Sequence, residues 1–351
     1  MPRVSVILTS FNHAEYLQEA INSVLDQTFS DFELIIWDDA SEDESWSIIS
    51  AYKDPRIKAF RNDCSRRGVY GVNQAIEHIA QGAYVAIHHS DDVWLPDKLS
   101  KQVAALDSHP DWGAVFTWAV IIDDHGMEQP NPWFSLPQMT RWEWLRLLFI
   151  GENHLNHPSV LIRRECFRQV GLYRYGLAQT GDAEMWSRLL LAYDIHVIEE
   201  ALTKHRIFLS DRNTSGSKGP RLVRTENEWN ILRLNFFHSV ACEDLFRIFP
   251  GLDKYRRPTG CIQEFVLSMA CLTECQSRSA WHLGLSTLYG LVATAESGRA
   301  VHELYGFDYR DLVALSGQCD TFGLEARRTA EEQPPGGALR RLLERLSARG
   351  R

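Results

Sequence analysis

Residues 84–95, YVAIHHSDDVWL, restrict what this chain can fold into more than any other stretch. Tyr84-Val85-Ala86-Ile87 is an apolar run, rich in strand-forming residues, between Gly82 and a polar break, so it reads as a short buried strand. It runs into Ser90-Asp91-Asp92, and Pro96 with Asp97 then opens a helix. Two adjacent carboxylates at the end of an interior strand repel each other and are costly to desolvate. A hard divalent cation, Mg²⁺ or Mn²⁺, relieves that cost through carboxylate oxygen, and such sites pair one or two carboxylates with substrate phosphates and water. The pattern therefore reads as a metal–diphosphate site, or more plainly as a strand end followed by an Asp-rich turn. The rest of the chain decides between them.

The N-terminal part supplies the context. Val4-Ser5-Val6-Ile7-Leu8 reads as a first buried strand broken by Thr9-Ser10-Phe11-Asn12. Asn12 with Glu15 predicts a capping box for a helix with Tyr16, Leu17, Ala20, Ile21, Val24 and Leu25 on one apolar face. Residues 32–37 form a second strand ending in Asp38-Asp39, and Ser41 with Glu44 predicts another capping box. A short strand at 57–60 precedes a helix marked by Val72, Ala75, Ile76, Ile79 and Ala80, with Gly82 placed to end it. Strands alternating with helices at this spacing predict βαβ units and a parallel sheet, where ligands bind outside the carboxyl ends of the strands. Two Asp pairs then fall at such ends. No Gly-rich phosphate loop of either common type is present, so a metal on Asp91-Asp92 is the natural holder of phosphates.

Further on, residues 114–122 and 157–162 read as strands, 142–149 as an amphipathic helix, and 195–198 and 202–208 as two closing strands. Asp182 opens a helix after a Gly/Tyr-rich loop at 171–181, a position that also suits an N-cap. Glu184 is expected on the solvated side of that helix, and His88 and His89 as strand-end histidines bonded to backbone. From about residue 220 the pattern is helical alone. The domains expected are 1–215, with a nucleotide-sugar half at 1–100 and an acceptor half at 101–215, then a helical region at 216–332 and a linker with a basic amphipathic tail at 333–351.

A net charge of -9 argues against broad nucleic-acid binding, which needs a basic footprint. Seven cysteines with no CxxC and no signal peptide point to a reducing cytoplasm, and Cys271 and Cys275 read as core residues four apart on a helix. No run of eighteen apolar residues is present. The tail sets Leu339, Leu342, Leu343 and Leu346 on one helical face among arginines. It reads as a peripheral contact with an anionic membrane surface or as a helix packed on its own domain or a partner. The helical region could equally form a homodimer or shape an acceptor groove.

The segments VSVILTSFN, QTFSDFELIIWDDAS, AYVAIHHSDDVWLPDKL, LDSHP and TGDAEMWSRL occur in that order. In these the chain resembles the inverting family 2 glycosyltransferases of the GT-A fold, a Rossmann-like mixed α/β sheet, and especially members that build bacterial spore-coat polysaccharide. The likeness covers roughly residues 1–210. It implies a UDP- or dTDP-sugar donor, a Mn²⁺ or Mg²⁺ cofactor, and a polysaccharide, lipid-linked or protein acceptor. Carried over residue by residue, Thr9 and Phe11 border the base, with Phe11 standing where relatives have Tyr. Asp39 accepts a hydrogen bond from the base, Asp91 binds near the ribose, Arg66 or Arg67 meets the diphosphate, and Asp92 is the main metal ligand. Asp182 is the general base. Relatives often carry an Arg-x-His near the closing strand; here Arg206-Ile207 is followed by Phe208, which leaves no expected metal contact from that strand. A nucleotidyltransferase of similar layout, or an idle sugar-nucleotide-binding scaffold, are the competing readings. Release of free nucleoside diphosphate separates all three.

Overall fold

The structure, a computed structural model, describes residues 1–130, 132–208 and 219–324. The linker and tail expected at 333–351, and most of the polar loop near 209–219, lie outside the described residues. In chain order the first half comprises β1 (Val4–Ser10), α1 (Ala14–Leu25), β2 (Phe32–Asp38), α2 (Ser45–Ala51), β3 (Ile57–Arg61), α3 (Tyr70–Gln74), β4 (Tyr84–His89), β5 (Val93–Trp94) and α4 (Lys98–Ser108). There follow β6 (Trp112–Ile122), β7 (Glu128–Gln129), α5 (Arg141–Ile150), β8 (Leu161–Arg163), α6 (Cys166–Val170), α7 (Gly181–Ala192) and β9 (Asp194–Arg206). The helical region holds α8 (Pro220–Ser239), α9 (Cys242–Ile248), α10 (Gln263–Thr273), α11 (Arg278–Val292), α12 (Ala295–Tyr305) and α13 (Tyr309–Ser316).

One mixed sheet carries the strands in the order β3-β2-β1-β4-β8-β6-β9-β5, with β7 paired to β6. The first four are parallel, as the βαβ reading requires. β8 enters antiparallel between β4 and β6, and β9 returns parallel to β6. This is the curled α/β sheet of the GT-A type. Register sets Thr9 of β1 level with Trp37 of β2 and His89 of β4, so the polar ends of three strands meet along one edge. Val4, Val6, Ile7, Leu8, Leu34, Ile35, Ile36, Val85, Ala86 and Ile87 are fully buried, the two-faced burial that their unbroken apolar runs predict.

Several local expectations need correction. Neither predicted capping box forms: α1 begins after His13 and α2 after Glu44, each without a side-chain cap. Asn12 instead takes a positive φ of 53° and its amide oxygen accepts the Glu42 N–H at 2.8 Å, tying the β1 loop to the β2 loop. The helix at 70–79 widens to a π turn over Ala75–Ile79 and stops before Gly82. Gly82 is required for another reason: a Cβ there would lie 2.6 Å from the Ser5 amide nitrogen. The segment predicted as a strand from His157 is a 3-10 turn, His157–Ser159, before the short β8. The two closing strands are one, β9, bulged against Thr117 and Trp118 of β6. Cys271 and Cys275 are buried as expected, but Cys242 and Cys261 form a disulfide. Their 19-residue separation, with no motif around either, left that pairing invisible in the sequence.

The helical region is no appendage. Trp229, Leu232 and Phe236 of α8 join the same apolar cluster as Trp144 and Phe149 of α5 and Trp186 of α7, and Phe149 meets Phe236 edge-on at 5.0 Å. Each large side chain buried this way contributes about 2–3 kcal/mol. No helix among the described residues is long and apolar enough to cross a membrane.

Candidate active site

Along the shared edge, Thr9 is half-buried and Phe11 is 47% exposed on the loop that follows. Among the described residues, three non-glycine positions have positive φ: Asn12, Ala40 and Arg67. All three lie on loops at carboxyl ends of strands, where backbone strain and function commonly coincide. Asp39 is held tightly. Its Oδ1 accepts from Asn62 Nδ2 and the Arg66 N–H, both at 2.7 Å, and its Oδ2 accepts from Ser65 Oγ at 2.7 Å and the Arg67 N–H at 2.9 Å. Burial pushes its acidity the other way, but these four donors hold Asp39 below the usual carboxylate range. Asp39 therefore organises the 62–67 loop, and a hydrogen bond from a base requires one of the four to yield. Arg67 comes to this edge through its backbone, its side chain exposed.

The turn after β4 assembles the acidic centre. Asp92 is fully buried, its Oδ1 accepting the Arg206 N–H at 2.8 Å and lying 3.1 Å from His205 Nδ1. Its Oδ2 has no hydrogen-bond partner among the described residues and sits 3.3 Å from His89 Nδ1. Burial works against ionisation, yet His205 and His89 hold Asp92 well below the ordinary carboxylate range. Asp91 is pushed up, first by burial and then by the adjacent Asp92 charge. One donor atom each from His89, Asp91 and Asp92 lies within 4.8 Å of the others. Two carboxylates and an imidazole gathered this closely, with an Asp92 oxygen whose nearest polar neighbour is His89, fit a divalent cation.

Arg206 stitches this turn to β9: its Nε donates to the Asp91 carbonyl at 2.9 Å and its Nη2 to Glu19 at 2.9 Å. The closing strand does reach the centre, through His205 rather than through a histidine after Arg206. His89 is likewise not a backbone-satisfied strand end. Its Nε2 lies 3.1 Å from His157 Nδ1, and His157 Nε2 lies 3.0 Å from the Tyr173 hydroxyl. His88 is buried behind, its ring 4.5 Å from Trp94, and burial pushes it down to about 3.

Asp182 stands in the first turn of α7, half-buried. Its Oδ2 accepts from Asn153 Nδ2 at 2.9 Å and its Oδ1 from the Ala183 N–H at 2.8 Å. Burial outweighs both and pushes its pKa up. The charges of His89 and His205, the two imidazoles beside Asp92, act on Asp182 as well. Glu184 corrects the expectation of a solvated residue. It is fully buried, meeting Arg188 at 2.7 Å, Arg174 at 3.1 Å and Asn235 Nδ2 at 3.1 Å. Removing one member of a buried ion pair strands the other, so Glu184→Ala is expected to cost about 3 kcal/mol of stability in chemical denaturation. A midpoint equal to the unmutated protein's contradicts this role.

A mixed sheet with an acidic cluster at the end of β4 is the layout of a GT-A-type transferase. Residues 5–171 match the family described as Glycosyl transferase family 2. The chain is 41% identical over 247 residues to the putative teichuronic acid biosynthesis glycosyltransferase TuaG of Bacillus subtilis, covering 69% of this chain and 93% of that one. It is 30% identical over 226 residues to an uncharacterised glycosyltransferase of Methanocaldococcus jannaschii, covering 63% of this chain and 76% of that one. In fold it is similar to S. aureus TarS 1-349 in complex with UDP-GlcNAc, with a TM-score of 0.56, 19% identity, and coverage of 87% of this chain and 92% of that one. The protein belongs to glycosyltransferase family 2.

Proposed function

We propose that this enzyme is a metal-dependent inverting glycosyltransferase that moves a sugar from a UDP- or dTDP-sugar to a hydroxyl of a polysaccharide, lipid-linked or protein acceptor. The observation that carries the reading is that the buried Asp92, pinned by His205 and the Arg206 N–H of β9, completes a His89-Asp91-Asp92 donor set at the end of β4. In this reading Thr9 and Phe11 border the base, Asp39 orients it, and Asp91 and Arg67 meet the ribose and diphosphate. Asp92, with His89 and Asp91 beside it, would hold the cation. When bound, a divalent cation stabilises the negative charge that grows on the departing diphosphate. Asp182 takes the proton of the acceptor hydroxyl as the new bond to the anomeric carbon forms, because an un-ionised hydroxyl is a poor nucleophile. A single displacement inverts that carbon. The teichuronic acid biosynthesis in the name of TuaG and the UDP-GlcNAc in the TarS complex support this reading of acceptor and donor.

The test is a panel of UDP- and dTDP-sugars with Mn²⁺, read as release of free nucleoside diphosphate. Pyrophosphate as the product would mark a nucleotidyltransferase, and binding without turnover a scaffold.

The pH dependence follows from Asp182. A base must be ionised, so the rate falls as pH drops through its folded pKa, which burial sets above the ordinary value for Asp. Asn153→Ala removes a hydrogen bond to the ionised form and is expected to move this acid limb to higher pH. An unmoved limb in the kcat–pH profile would show that Asn153 does not tune the base.

A further inference from the structure

The loop entering α7 is held from outside the catalytic sheet. Glu228 of α8 is 5% exposed, and its Oε1 accepts the Ala178 N–H at 2.9 Å. Its Oε2 accepts the N–H of Gln179 at 2.7 Å, the N–H of Thr180 at 2.8 Å and the Thr180 hydroxyl at 3.3 Å. Three successive backbone donors converge on one carboxylate just before a helix whose N-cap residue, Thr180, makes no side-chain cap of its own. The carboxylate also sits favourably against the positive end of the α7 dipole. α8 makes three more contacts around the base. Arg233 donates to the Phe149 carbonyl at 2.9 Å, near the end of α5 that leads to Asn153, and Asn235 donates to Glu184 and Ser187 of α7. Asn153 and α7 are the two elements that fix Asp182. α7, and the end of α5 that leads to Asn153, are thus both anchored to α8.

We propose that Glu228 is a positioning residue for sugar transfer: by clamping residues 178–180 it sets where Asp182 stands, so the helical region is part of the catalytic apparatus. This rests on the reading of Asp182 as general base. The geometry explains why a glutamate is used. Only an ionised carboxylate accepts from three N–H groups without presenting a donor of its own, and an amide in its place turns an N–H toward them. An error of about 1 Å in the place of a reacting group costs about 100-fold in rate.

The test uses the full chain and the nucleotide sugar giving the fastest nucleoside diphosphate release in the panel, with water as acceptor and Mn²⁺ present. Glu228→Gln is expected to lower kcat at least tenfold, with donor KM and calorimetric UDP–Mn²⁺ affinity changed less than twofold. Glu228→Asp, which keeps the charge but shortens the reach, is expected to lower kcat at unchanged KM by a smaller factor than Glu228→Gln does. Asp182→Asn alone reports on the base, and in that background Glu228→Gln should add no further loss. Should Glu228→Gln not fold, Glu228→Asp decides: a reduced kcat at constant KM supports the clamp, and unmutated kinetics overturn it. A normal kcat in Glu228→Gln, an equal fall in donor affinity, or the same loss with and without Asp182 each overturns the proposal. In the first case an inactive Asp182→Asn leaves the base reading standing; an active Asp182→Asn removes both.

Discussion

Asp182→Asn is expected to reduce kcat by about 10²–10⁴ while UDP–Mn²⁺ binding stays within twofold, measured by single-turnover kinetics and calorimetry. The magnitude is the usual contribution of a positioned general base. The substitution is nearly isosteric. Asn at this position still offers a carbonyl oxygen to either the Ala183 N–H or Asn153 Nδ2, although not to both. Stability moves in the opposite direction to activity. A carboxyl whose folded pKa is raised above its unfolded value destabilises the fold once pH exceeds the unfolded value, because folding then favours the protonated form. At neutral pH the permanently neutral Asn is relieved of that cost, so the melting temperature is expected to hold or rise. A variant that is more stable, binds donor normally and transfers no sugar is the signature of a base. A fall in melting temperature together with rate would instead make Asp182 an N-cap-like structural residue, the plainer alternative for an Asp opening a helix.

What could be read in the sequence follows from how locally each feature is encoded. β1, β2 and β4 were legible because strands buried on both faces need unbroken apolar runs, and Thr9, Asp39 and Asp92 were legible because polar residues interrupt those runs at strand ends. The resemblance added Asp182, whose own surroundings carry no local signal beyond helix entry. Apart from local ones such as the 3-10 turn at His157–Ser159, the failures are relations between distant segments. Asn12 and Glu15 have the spacing of a capping box, but Asn12 is drawn to Glu42, 30 residues away. Glu184 sits two residues past Asp182 on a polar-looking helix start, and its burial is revealed only when α8 brings Asn235 onto it beside its ion-pair partners Arg174 and Arg188. His205 is a lone histidine on a strand until β9 is laid beside the β4 turn, where it meets Asp92. Glu228 lies in a region with no motif at all, and its meaning depends on three N–H groups about 50 residues earlier in the chain. Hydrophobic periodicity reports which face is buried; it carries no information about which polar group awaits on the other side.

The second large effect is expected at Asp92. Asp92→Asn should abolish the joint thermal stabilisation by Mn²⁺ and UDP and lower turnover by about 10³-fold or more, as loss of several kcal/mol of charge stabilisation implies. The argument turns on the two oxygens. Oδ1 accepts the Arg206 N–H, so an asparagine must keep its carbonyl oxygen there, since an amide nitrogen would face another donor. The NH₂ group is then forced into the place of Oδ2, the oxygen with no hydrogen-bond partner among the described residues. A donor with partial positive charge would occupy the point at which a cation needs a lone pair. Asp91→Asn is the informative contrast, because Asp91 is less buried and lacks such a fixed orientation. It should weaken nucleotide affinity more gradually and leave some Mn²⁺ dependence. Near-ultraviolet circular dichroism shows whether each variant keeps its packing, which separates lost chemistry from lost fold. Retention of full Mn²⁺-dependent UDP binding by a folded Asp92→Asn protein would move the cation elsewhere, and the transfer mechanism with it.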